Sequence, residues 1–240
     1  MSEQKDKTNS VAGKPKQNNL LLELLFNIAA PSLILMKLSG EDYLGTVGAL
    51  VVALAFPIGY GLFDFIKNRA FNFFSLLGFI STLLTGGIGL FELDVEWLAI
   101  KEAAIPSAIA VVILASGFMG KPLVAKLILN PLIFNLPLIY DTLAAKDKTQ
   151  EFKSKINRAN HFLAMTSVFS ATMNYLLAKW IVTSPAGTVE FNEQLGEMTA
   201  LSYPVIAIPS TIMLIVIMVY VAKIITRLTE LTFEEVLQAE

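Results

Sequence analysis

The stretch "AIKEAAIPSAIAVVIL", residues 99–114, decides how the chain is read. It is an apolar run that carries adjacent charges, Lys101 and Glu102, and then a proline, Pro106. A soluble core would not hold this run together with the others around it. The 240 residues are 55% hydrophobic and 16% charged, with a mean hydropathy of +0.63. Soluble domains carry about 25% charged residues. The composition therefore points to the membrane class.

A span needs about 20 apolar residues to cross about 30 Å of hydrocarbon. Six segments satisfy this: 20–38, 43–64, 71–91, 96–118, 159–182 and 203–223. The expected fold is all-α, a polytopic bundle of six transmembrane helices occupying 19–226. The first apolar run, 19–38, reads as an uncleaved span, because it is long for a signal-peptide core and Pro31 would follow the cleavage site. Residues 1–18 are polar and aperiodic and read as a disordered cytoplasmic tail. Residues 121–145 hold Pro122, Pro131 and Pro137, which break a spanning helix. They read as short amphipathic pieces on the membrane surface, the first part of a basic cytoplasmic connector, 121–158.

Charge sorts along this frame. Cytoplasmic loops collect Lys and Arg. Of the 18 basic residues, all but Lys37, Lys101 and Lys179 fall in the N-terminal tail, the connection after the second span, the 121–158 connector or the end of the last span. The opposite loops hold Glu41, Asp42, Glu92, Asp94, Glu96, Glu190, Glu193 and Glu197, with no Lys or Arg. The chain is thus expected to be multi-pass in an inner (plasma) membrane, with both termini in the cytoplasm. In 184–202, Phe191, Leu195, Met198 and Leu201 recur at helical spacing. This predicts an outer amphipathic helix that turns at Pro204 into the last span. In 227–240, Thr232 with Glu235 three residues on predicts a capping box and a short cytoplasmic helix.

Lys101 lies roughly 6–9 Å inside the outer end of the fourth span. Its stem can snorkel, and Glu102 sits in the first turns, where the helix dipole favours an anion. Adjacent helical residues point about 100° apart, so the two are not expected to neutralise each other. Lys101 shares a face with Ala104, Ala108 and Ala115, which places it toward the bundle interior. Lys37 and Lys179 are the candidate partners of Glu102. An intramembrane charge reads as functional by default; an interfacial ion-pair cluster that orients helices is the competing reading.

A small-apolar-Pro-Ser unit recurs as "AAPS" (29–32), "AIPS" (104–107) and "AIPS" (207–210). Proline frees a carbonyl that a nearby serine can satisfy. Ser107 and Ser210 thereby join the candidate polar cluster, as does Asn174 at mid-membrane, for which a helix–helix hydrogen bond is expected. The glycines of "LTGGIGL" (84–90) suit either close packing or a plain helix end. "GYG" (59–61) lacks the context of an ion filter.

Chemistry is mostly excluded. There is no cysteine and one histidine, His161, which reads as a headgroup-level residue. Disulfides, thiolate nucleophiles and multi-histidine metal sites are ruled out. No zinc His-Glu-x-x-His pair or Gly-x-Ser-x-Gly elbow occurs. No enzyme activity and no cofactor are expected. The basic connector fits anionic lipid at the cytoplasmic face of the bilayer rather than nucleic acid. A homo-oligomer stays open.

"GKPLVAKLI" (120–128), a basic connector and "INRANHFLAMTSVFSATMNYLLAKWI" (156–181) resemble the intracellular septation protein A (YciB-like) family, across the central half of the chain. There a Lys-Pro-Leu follows a span and a later span carries an Asn-containing stretch, matched here by Asn157 and Asn174. The resemblance implies a small multi-span bacterial inner-membrane protein of cell-envelope upkeep and division. "LTGGIGL", "AIKEAAIPS" and "TSPAGT" are similar to a bacterial membrane family sometimes labelled as facilitator-superfamily transporters. Two functions follow as expectations: a non-enzymatic envelope protein acting through helix and lipid contacts, or a small secondary transporter or channel component with a site near Lys101 and Glu102.

Overall fold

The computed structural model describes residues 24–68 and 73–237. The expected tail 1–18, the start of the first span, Arg69 and Asn72 lie outside them. The described chain is helical, with one isolated antiparallel bridge between Phe134 and Leu237. The helices are α1 (Leu25–Leu38), α2 (Gly45–Asn68), α3 (Phe73–Leu90), α4 (Glu96–Phe118), α5 (Leu123–Ile128), α6 (Leu136–Ala145), α7 (Thr149–Ile181), α8 (Val189–Ser202), α9 (Ile208–Thr229) and α10 (Phe233–Val236).

Three described stretches are long and apolar enough to cross a membrane: Gly45–Phe63, Glu96–Phe118 and the continuous run Val189–Thr229. The other expected spans are also helices; among the described residues their apolar runs include Leu25–Leu38 and Ile80–Leu90. α7 mixes Asn160, His161, Thr166, Thr172 and Asn174 among its apolar residues. The 41 residues of Val189–Thr229 would measure about 60 Å if straight, twice the hydrocarbon thickness. The break expected at Pro204 is absent. A π-helical turn, Tyr203–Ala207, carries the chain from α8 into α9.

That turn has a counterpart. The first five residues of α1, Leu25–Ala29, are also π-helical. Each π turn ends just before a Pro-Ser pair, Pro31-Ser32 and Pro209-Ser210. A helical proline denies the carbonyl four residues back its amide. The widened turn answers this by i→i−5 bonds, Ala30 N–H to Leu25 O and Ile208 N–H to Tyr203 O. The serines do not perform that repair, contrary to expectation. Among the described residues the Ser32 and Ser210 hydroxyls are buried and make no hydrogen bond.

Two hydrophobic cores lie at opposite ends of the bundle. One joins Leu35 of α1, Leu50 of α2, Ile88 of α3, Leu98 of α4, Leu177 of α7, Phe191 of α8 and Ile206 of the π turn. The other joins Ile113 of α4, Val124 of α5, Ile139 of α6, Ile156 of α7, Ile225 of α9 and Val236 of α10. α4 and α7 feed both cores, α4 first-end to α7 last-end, so they run antiparallel. They form the most extensive helix pair. Small residues buried on both, Ala110 and Gly117 of α4 and Ala164, Ala171 and Ala178 of α7, permit close approach.

The connector is more deeply integrated than a set of surface pieces. Val124 of α5 and Leu143 of α6 are fully buried, and the turn between these helices buries Phe134. α10 closes over that turn, where Asn135 N–H donates to Val236 O at 2.9 Å. The α10 capping box forms as the spacing predicts, with both Thr232–Glu235 bonds present.

Candidate functional site

The Lys101 side chain is buried, with 8% of its surface exposed. Its Nζ donates to Thr85 Oγ1 on α3 at 2.6 Å and lies 2.6 Å from Glu102 Oε1. Thr85 in turn donates to Ser81 O, 3.1 Å away. Lys101 thus does face a neighbouring helix, and it does pair with its own neighbour in sequence. The 100° angular offset expected to prevent this is overcome by reach: adjacent Cα atoms stand 3.8 Å apart, and four plus two methylenes curl across the gap. Pro106 adds a further element. It lacks the amide that would bond the Glu102 carbonyl.

Other expected members of the cluster stand elsewhere. Lys179 pairs with Glu96 at 3.6 Å and lies over the Tyr175 ring, and Lys37 has no ion pair among the described residues. Ser107 is exposed. Asn174 finds its partner within its own helix, donating to Ser170 O at 2.8 Å, rather than on another helix. The alanine seam also turns outward: Ala104, Ala108 and Ala115 are exposed, whereas Lys101 is buried, as are Leu98 and Ala99 in the turn before it. Seven residues that share polarity in the sequence are therefore not one site. Lys101, Glu102 and Thr85 are.

Two polar knots escaped the sequence reading. Asn160, fully buried on α7, donates to Ile113 O at 2.7 Å and accepts from Val124 N–H at 3.1 Å. Ser116 joins it by accepting from Leu123 N–H at 3.0 Å. These bonds tie the end of α4 to α5, which is the Lys-Pro-Leu stretch. Gly117 makes room for them, since a Cβ there would stand 2.7 Å from Asn157 Oδ1. Asn157 itself leaves that oxygen without a partner among the described residues, while its backbone carbonyl meets His161 Nδ1 at 2.7 Å on the exposed side. The signal in the sequence was Asn157 and Asn160 three apart, hence on one helix face.

The second knot is at the other core. Asn192 of α8 donates to Thr46 O at 2.8 Å and to Ser39 Oγ at 3.1 Å, clamping the junction of α1 and α2. Gly196, four residues on, lets α8 press against α1; a Cβ there would lie 2.8 Å from Ser32 O. The pairing of Asn192 with Gly196 beside Phe191 and Leu195 was the legible hint. The loop after α7 closes over this end, with Gln194 Oε1 accepting from the amides of Thr183 and Ser184, each at 2.9 Å.

Among the described residues no group of three or more His, Cys, Asp or Glu is placed to hold a metal. Comparison with protein-family models, with curated proteins and with solved structures found no match.

Proposed function

We propose that the chain is a non-enzymatic, six-span protein of a bacterial inner membrane, with both termini cytoplasmic, that serves cell-envelope upkeep through helix and lipid contacts. The observation that carries this reading is the closed state of its intramembrane charge. Lys101 is held by Glu102 and Thr85 between two packed helices. A group so saturated orients helices; a transport site needs polar groups that a solute can reach.

The topology has its own support. The last part of α1, the first part of α2, the last of α3, the first of α4, the last of α7 and the π turn before α9 all feed one core. An up-and-down bundle of six helices brings just those ends to one side. The acidic loops fall there, and the basic connector falls at the other end. The resemblance to the septation protein A family agrees with such an architecture and is part of the proposal.

The transport reading draws on a different feature, the two π turns with unpartnered Ser32 and Ser210 hydroxyls. Broken helices with free polar groups line many carrier sites. Purified protein in liposomes, screened for flux of ions, sugars, amino acids and drugs, separates the two. No flux above empty vesicles, together with osmotic fragility or misplaced septa in a deletion strain, supports the envelope reading. Saturable flux overturns it. Reporter fusions that place either terminus outside overturn the topology.

A further inference from the structure

The segment 118–133 is a hook between α4 and α6. Gly120 takes φ 69°, Pro122 starts a helix of six residues, and a turn at Pro131 ends it. Asn160 and Ser116 pin the hook to the bundle, and Val124, Ile128 and Leu129 fill the core beneath. Its other side is apolar as well. Phe118, Met119, Leu127 and Leu132 all project outward, Phe118 and Leu132 with 85% and 84% of their surface exposed.

Two physical limits place this surface. Irregular backbone facing lipid does not occur inside the hydrocarbon, so the hook cannot sit at mid-membrane. Large outward apolar side chains held rigidly in place do not suit bulk water. The boundary between headgroups and acyl chains satisfies both.

Charge then selects the headgroup. From 118 to 133 the chain has no Asp or Glu, and its charges are Lys121 and Lys126. Both are exposed and have no ion pair among the described residues. Of the other cations at this end, Lys146 pairs with Glu230 and Lys148 and Lys155 with Glu151, while Lys153, Arg158, Lys223 and Arg227 have no ion pair among the described residues. Two free cations beside an apolar wedge are the pattern of an interfacial anchor for an anionic leaflet. We propose that the 118–133 hook is a built-in lipid-binding wedge, with Leu132 and Leu127 at acyl-chain level and Lys121 and Lys126 engaging anionic phospholipid headgroups.

The proposal rests on the membrane reading above, and the two fail differently. Full-length Trp97→Phe/Trp180→Phe protein carrying Leu132→Trp, and separately Leu127→Trp, is reconstituted in vesicles of phosphatidylcholine with phosphatidylglycerol. Either lipid is brominated in turn. Protein released by alkaline carbonate would refute the membrane reading itself. In carbonate-resistant protein, the wedge predicts blue-shifted emission, stronger quenching by brominated lipid than by aqueous iodide, and a preference for the brominated anionic lipid. That preference should fall by about fivefold per lysine in Lys121→Gln and Lys126→Gln, from about 1 kcal/mol per surface cation. Quenching by iodide alone overturns the wedge. So does equal quenching by the two lipids. Shielding from lipid and iodide alike, lost on dilution of protein in lipid, would mean that a second copy covers the hook, and also overturns it.

Discussion

Asn160 on α7 holds the Val124 amide of α5 at 3.1 Å across 36 residues of sequence. The same side chain donates to Ile113 O on α4 at 2.7 Å. One fully buried amide thus joins three helices at the end where the basic connector leaves α4.

Asn160→Leu should be costly for that reason. It leaves the Val124 amide buried without a partner, at about 1–3 kcal/mol for the lost bond, and its branched side chain must fit where Gly117 gives room only to a flat amide. Thermal unfolding in detergent should fall by several degrees, with protease cutting first in 121–135. Unchanged unfolding and cutting would show that the knot does not hold α5.

Glu102→Gln should destabilise the bundle because it leaves Lys101 buried without its counter-charge. The expected loss is about 3 kcal/mol, the low end for broken buried pairs, since Glu102 keeps 22% of its side chain exposed. Lys101→Met/Glu102→Leu should recover most of it, because apolar replacement of a whole buried pair is often neutral. A double variant as unstable as the single one would mean that the ion pair is not what the site protects.

Glycines on the two sides of the bundle should respond with opposite signs. Gly196→Ala drives a Cβ to within 2.8 Å of the Ser32 carbonyl, and overpacking of this kind costs about 1–3 kcal/mol. Gly59→Ala in α2 meets nothing within 4 Å among the described residues, so it should stabilise by about 0.5–1 kcal/mol through helix propensity. The pair of unfolding midpoints tests both. The same sign for both would break the argument.

The C-terminal clasp should loosen in acid. Lys146, by hydrogen bond and then by charge, with Lys148 behind it, holds the Glu230 carboxyl below its ordinary range. The Thr232 amide and hydroxyl do the same for Glu235. A carboxyl whose folded pKa is depressed contributes stability that is present above its unfolded pKa of 4.5 and lost as pH falls through the folded value. Hydrogen exchange at residues 230–237 should therefore stay slow, after correction for intrinsic rates, at neutral pH and quicken below about pH 4.5. Glu230→Gln with Glu235→Gln should exchange faster throughout and flatten that dependence. A flat profile in the parent protein would count against the clasp.

How far the sequence could be read depends on distance along the chain. The fourth segment, 96–118, is α4 to the residue, because an apolar run between an acidic loop and a Gly-Lys-Pro stop is marked within a few residues at each end. The Thr232 box was equally legible, since cap and N3 residue are local. Gly86 and Gly89 were ambiguous, as nothing near them says whether a glycine ends a helix or admits a neighbour. Leu54 and Leu50 of α2 supply the answer by occupying the space their side chains would fill.

By itself, then, the sequence determined the apolar class, most of the helices, the Thr232 cap and the sorting of charge, all of which follow from composition and from contacts within one or two turns. Only the tertiary structure decided that Lys101 ends on Thr85, that two of the three Pro-Ser units answer proline with π turns, and that the connector buries Val124 and Leu143 in a core. Those outcomes depend on which faces of distant helices meet and how far a side chain reaches across them. No local pattern carries that information. Lys101 and Glu102 show the limit most directly: adjacent in the chain, they are paired because burial against α3 leaves their charges closer to each other than to water.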